Sequence, residues 1–199
     1  MAFQHLTQKA YLEHWKLGSN LYLINKHTGE ASPCQSAKRI LGMYDVQTPE
    51  MEAAFSEVES CIGNLHTTGE LTDPHDKRML AKWVALHAIR CAKNVDKLPS
   101  DYTYSVEHMA DYFQRHHCFF LDSPKPAFIT CDNPCLYLLR DGIPFWFIPA
   151  SPFRCACFSP ITAYAQSPPW DVNKNTLRAA SDYCVSFDGD LHTTRESLD

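Results

Sequence analysis

Apolar and polar residues along this chain follow two different periods, helical in the first half and strand-like in the second. Met51, Phe55, Val58, Ile62 and Leu65 recur at spacings of four, three, four and three, which is one stripe of a helix. Thr48 suits the N-cap of that helix, Pro49 its first position, and Glu50 and Glu52 the positive end of its dipole. A second helix is predicted from Asp73 as cap and Pro74 at the first position. It runs through Leu80, Trp83, Val84, His87, Arg90 and Cys91 to a point near Asn94. A third starts after Ser105, carries Val106, Met109, Tyr112, Phe113 and His116, and ends in Arg115, His116 and His117, which suit a negative helix end.

Leu21-Tyr22-Leu23-Ile24 reads as a strand, and Asn25 to Gly29 as the turn of a hairpin. After Cys118, strands are predicted at 118–121, 127–131, 135–139, 145–148, 153–158 and 183–187, punctuated by prolines. A short helix, Asn173 to Ser181, precedes the last of them. The expected class is α+β, with N-terminal helices packed on a largely antiparallel C-terminal sheet. One domain over 1–199 is expected: helix-rich 1–117, strand-rich 118–188 and a polar tail 189–199.

Composition narrows the function classes. With 45% hydrophobic residues in 199, the chain can build a core. A formal charge of -5 argues against a broad duplex-binding face, though not against a local basic pocket. Nine cysteines would leave one unpaired in a full disulfide framework. The start, Met1 to Trp15, has no basic leader followed by an apolar core, and no apolar run is long enough to span a bilayer. The expectation is a soluble cytoplasmic protein with reduced thiols and no membrane partner.

Phe128-Ile129-Thr130-Cys131-Asp132-Asn133-Pro134 ends an apolar run in an acid, an amide and a proline. That pattern terminates a strand in an Asx turn and leaves Asp132 at the strand end, where it serves either the turn or a site. Other landmarks surround it: Gln4 to Trp15, Leu21 to Lys26, Glu59, Arg90, Pro149-Ala150-Ser151-Pro152 and the helix from Asn173 to Ala180. In this order they resemble the domain-of-unknown-function 4238 family of bacterial and phage proteins. Cys131 stands where that family usually has serine, and Thr7 where proline is common. The resemblance implies a family without an established reaction, so the chemistry rests on the residues.

A guanidinium on an apolar helix face needs a carboxylate, a phosphate or carbonyls, so Arg90 is either half of a structural ion pair or an anion site. Glu59 lies at the edge of its stripe, and helix geometry separates it from Arg90 along the axis. The resemblance raises interest in His5, which beside Asp132 would become an oriented acid/base. Cys131, Cys135, Cys155 and Cys157 raise the question of zinc, but their spacing suits small apolar core positions better. Cys131 as a nucleophile with His5 as base is a further option. No phosphate-binding glycine loop occurs.

The leading expectation is a small hydrolase or transferase acting on a phosphate-bearing substrate, a nucleotide or RNA. His5, Glu59 and Asp132 would be catalytic, Arg90 and Asn133 would bind substrate, and neither metal nor cofactor is assigned. The alternative is a non-catalytic interaction protein, a phage or bacterial accessory factor that binds a protein partner. Its polar residues would then tie the N-terminal segment to the helices and sheet.

Overall fold

The computed structural model describes residues 3–5, 9–34, 42–44, 53, 56–60, 71, 73–91, 94, 102–161 and 168–194. Most of the Met51–Leu65 stripe lies outside the described residues. Within it, 56–60 is helical and Val58 is buried.

The elements run β1 (Phe3–His5), α1 (Lys9–Glu13), β2 (Leu21–Asn25), β3 (Ala31–Cys34), β4 (Gly42–Tyr44), α2 (Pro74–Ile89) and α3 (Thr103–Gln114). There follow β5 (His117–Asp122), β6 (Thr130–Cys131), β7 (Leu136–Arg140), β8 (Ile143–Ser151), β9 (Arg154–Ser159), α4 (Pro169–Ala179) and β10 (Tyr183–Ser186). The α+β class is as expected, but the halves are not segregated. One four-stranded sheet has the order β3-β2-β10-β6, so N-terminal strands pair with C-terminal ones. A second has the order β5-β9-β8-β7, and β1 pairs with β4 separately. Among the described residues every pairing is antiparallel.

Local chemistry explains the best-defined elements. Asp73 caps α2 by accepting the His75 N–H at 2.7 Å, and Pro74 occupies the first turn. The helix stops at Ile89, earlier than the periodicity suggests, with Arg90 as its C-cap. In the β2–β3 hairpin, Asn25 Oδ1 accepts the His27 and Thr28 N–H groups. Gly29 there adopts φ 73°, open to glycine at little cost.

Strand 127–131 is shorter than its apolar run implies. The Ala127 and Phe128 N–H groups both donate to the Pro152 carbonyl, at 2.7 and 2.9 Å, and Ile129 N–H donates to the Asn173 side chain. Only Thr130 and Cys131 remain to pair with β10.

The main core joins Tyr11, Leu12 and Trp15 with α2, α3 and the inner faces of β7, β8 and β9. Phe113 of α3 meets Trp146 at 5.2 Å and Phe158 at 5.1 Å between ring centroids, seating the helix on the β5-β9-β8-β7 sheet. A smaller core of Ile24, Ile129, Cys131, Ala180 and Cys184 lies at the other sheet. Among the described residues, no helix is long and apolar enough to cross a membrane.

Candidate functional site

Asp132 follows the last residue of β6 and is 2% exposed. Its Oδ1 accepts the Ser181 N–H at 2.8 Å, and its Oδ2 accepts those of Asp182 at 2.8 Å and Tyr183 at 3.2 Å. These three amides form the turn between α4 and β10. Asn133 completes the hold: its Nδ2 donates to the Ala179 carbonyl at 2.9 Å, to Ser181 Oγ at 3.0 Å and to Asp132 Oδ1 at 3.3 Å. From the β2 side, Lys26 Nζ donates to the Arg178 and Ala180 carbonyls, and its backbone N–H donates to Asp182 O at 2.8 Å. A helix end leaves carbonyls without intrahelical partners, and a cation there also suits the negative end of the dipole. The turn is thus clasped on its amide side by a carboxylate and on its carbonyl side by an amide and an ammonium.

The same polar system continues inward. Asn173 is fully buried on α4. Its Oδ1 accepts Ile129 N–H at 3.1 Å, and its Nδ2 donates to Ala127 O at 2.8 Å and His192 O at 2.9 Å. The Tyr11 hydroxyl lies against both Thr130 Oγ1 and the Pro149 carbonyl. Having one proton, it donates to the carbonyl and leaves Thr130 to donate in turn. Burial raises the Tyr11 pKa well above its ordinary value, with the Thr130 bond opposing the shift. The landmarks read from the sequence at Tyr11, Phe128–Pro134, Pro149–Pro152 and Asn173 therefore meet around one buried segment, with the partly buried Lys26 at its edge.

The remaining candidates are placed differently. The backbone of His5 pairs with Gly42 in the β1–β4 ladder, and its side chain lies outside the described residues. Glu59, partly exposed, belongs to the helical stretch 56–60, whose Val58 lines a groove with Met79, Lys82 and Val106. Met79 and Lys82 precede Arg90 by about 12–17 Å along the α2 axis, at a rise of about 1.5 Å per residue. Arg90 is 3% exposed, and His87 beside it is wedged between Tyr11 and Trp83, with centroids 5.0 and 4.7 Å away. Cys91, next in the chain, is close enough to Cys131 to act on its thiol electrostatically. Arg90 and Asp132 thus lie in neighbouring segments, whereas the helical stretch bearing Glu59 packs nearer the other end of α2.

Eight cysteines among the described residues are free thiols. Burial is the first cause that pushes Cys131 and Cys135 well above the ordinary thiol range and Cys118 and Cys184 up to about 12. Lys26 lowers Cys184 against the Asp132 charge, which raises it. Protonated, enclosed thiols are poor nucleophiles and poor ligands. Among the described residues, no three His, Cys, Asp or Glu side chains are grouped to hold a metal.

One surface was not singled out by the sequence. A groove of about 430 Å³ beside α3 is lined by Ile89, Tyr104, Ser105, His108, Met109, Tyr112 and Trp146. Tyr112 is 37% exposed here, although the helical stripe assigns it to the core. The available signal was Tyr104, His108 and Tyr112 recurring every four residues, a second stripe beside the buried one. Asn173 was equally legible as an amide between buried Val172 and Thr176 on α4.

No family model matches the chain, and no curated protein or solved structure does either.

Proposed function

We propose that this chain is a non-catalytic binding protein that recognises a protein partner. One observation carries the reading: both oxygens of Asp132, expected from the sequence to handle protons together with His5, are committed to backbone amides of a buried turn. A general base needs a lone pair within reach of substrate. Asn133, the companion candidate for substrate binding, spends its amide on the same turn.

The resemblance to the domain-of-unknown-function 4238 family belongs to this proposal. The stretch Phe128 to Pro134 is bonded to the closing helix through Asn173 and Asn133, so the succession of motifs reads as a recipe for one fold. Free thiols among the described residues support a reducing compartment, the cytoplasm.

The competing reading, a hydrolase or transferase of phosphate-bearing substrates, draws on the burial of Arg90 close to the Asp132 segment. That arginine caps the C-terminal end of α2, where the helix dipole disfavours a phosphate.

Turnover decides between the two. Wild type and Asp132→Asn, held at a temperature where both are folded, are incubated with nucleotides and short RNAs, with and without divalent metals, and products are read by mass spectrometry. The expected result is no turnover by either protein. Hydrolysis or transfer by the wild type that disappears in Asp132→Asn would establish the enzymatic reading instead.

A further inference from the structure

Two of the free thiols stand directly opposite each other, and we propose that Cys131 and Cys184 form a modification site, a pair that a peroxide oxidises to a cross-strand disulfide. The register of β6 and β10 matches Cys131 to Cys184, and among the described residues no other two cysteines are partners across a ladder. Hydrogen bonding fixes the type of that match. Asp132 N–H donates to the Tyr183 carbonyl at 3.2 Å, so Asp132 and Tyr183 are the hydrogen-bonded pair at the strand end. Bonded and non-bonded pairs alternate along an antiparallel ladder, which makes Cys131 and Cys184 a non-bonded pair. Cα atoms in such a pair are about 4.5 Å apart, and their side chains approach closest. That lies within the range of about 4.4–6.8 Å that a disulfide spans. Ile24, the partner of Cys184 on β2, is buried with both thiols in the smaller core, so all three side chains share one face of the sheet.

Enclosure keeps the pair reduced until β6 opens. Thr130 and Cys131 are the whole of that strand, and it forms the edge of its sheet, so its release is a local event rather than global unfolding. In the closed protein, burial and the Asp132 charge oppose ionisation of Cys184, whereas Lys26 favours it. Opening admits water and peroxide, which leaves Lys26 to assist the Cys184 thiolate. That sulfur attacks hydrogen peroxide and the O–O bond breaks. Cys184 becomes a sulfenic acid, and the departing hydroxide takes a proton from solvent. The Cys131 sulfur then attacks the Cys184 sulfur, the S–O bond breaks, and the hydroxyl leaves as water with the Cys131 proton. Two thiols have lost two electrons and two protons, and the peroxide has become two waters. The product closes a loop of roughly fifty residues and staples β6 to β10 beside the turn that Asp132 holds.

The test exposes the full-length protein, reduced and then freed of reductant, to hydrogen peroxide under native conditions. The protein is then denatured with an alkylating reagent and its cysteines are mapped by mass spectrometry. A linkage of Cys131 to Cys184 within one chain is expected as the first disulfide formed, and dithiothreitol should return both thiols. Dilute urea, which raises the open population without unfolding the protein, should speed its appearance severalfold. The crosslinked protein should unfold at a higher urea concentration than the reduced one. Cys131→Ala and Cys184→Ala, shown to be folded by circular dichroism, should lose both the crosslink and the peroxide-dependent rise in the midpoint. The wild-type map decides the matter even if a variant fails to fold. Retention of both residues as thiols, or conversion of either to a sulfinic acid without a crosslink, would overturn the proposal. So would pairing of Cys131 with Cys91, its other thiol neighbour, a disulfide between two chains, or a Cys131–Cys184 linkage that leaves the midpoint unchanged.

Discussion

Buried polar side chains in this protein act on the backbone more than on each other. Tyr11 shows the energetic consequence at the scale of one residue. Its hydroxyl serves a side chain on β6 and a carbonyl on β8, so Tyr11→Phe leaves both groups buried with a partner removed. A buried donor or acceptor left unmade costs about 1–3 kcal/mol, and Tyr11→Phe should lower unfolding free energy by that order in urea titration. Arg90 behaves in a related way. It is 3% exposed, so Arg90→Lys should also destabilise the fold, because an ammonium keeps the charge but not the planar fork. A thermal midpoint for Arg90→Lys equal to wild type would show that only the charge matters.

Among the elements, α4 depends most on distant partners. Its Asn173 bonds to residues 127, 129 and 192, and its C-terminal carbonyls bond to Lys26 and Asn133. Asn173→Leu keeps helix propensity but removes three hydrogen bonds, and should cost roughly 3 kcal/mol. The Ile129 amide should then lose its protection from hydrogen exchange before the β8–β9 ladder does. By contrast α2 is secured locally, and Asp73→Ala should cost only about 1 kcal/mol. That difference separates what the sequence could reveal from what it could not. The α2 start was legible because Asp73 and Pro74 act on their own neighbours. The 127–131 run was over-read because its amides go to Pro152 and Asn173, partners that no local window contains. Asp132 was legible as a turn former, yet the turn it forms lies about fifty residues away. The role of Asp132 therefore depended on topology, which joins β6 to β10 and β10 to β2.

For the whole molecule, the interior is unusually rich in protonated thiols, and this sets its response to alkali. Burial raises the pKa values of Tyr11, Cys118, Cys131, Cys135, Cys157 and Cys184 in the folded state. Above about pH 8.5 the unfolded chain releases thiol protons that the folded chain retains, so the unfolded state is favoured as pH rises. Stability from these groups is fully present at neutral pH and falls progressively toward the folded values, about 12 for Cys118 and Cys184. Urea midpoints should decline from neutral pH to about pH 10, with native thiols alkylating slowly throughout. A midpoint that holds or rises over that interval would contradict the burial of these groups.

Asp132 holds the turn between α4 and β10, and the unfolding free energy of Asp132→Asn measures that hold. Both carboxylate oxygens face N–H donors, so an amide must turn its own NH2 toward at least one of them whichever way it is flipped. A loss of about 3 kcal/mol relative to wild type is expected in urea titration at neutral pH, the scale for breaking charge-assisted buried bonds. An Asp132→Asn protein as stable as wild type would show that the charge is not needed to hold the turn, and would return Asp132 to the list of candidate catalytic groups.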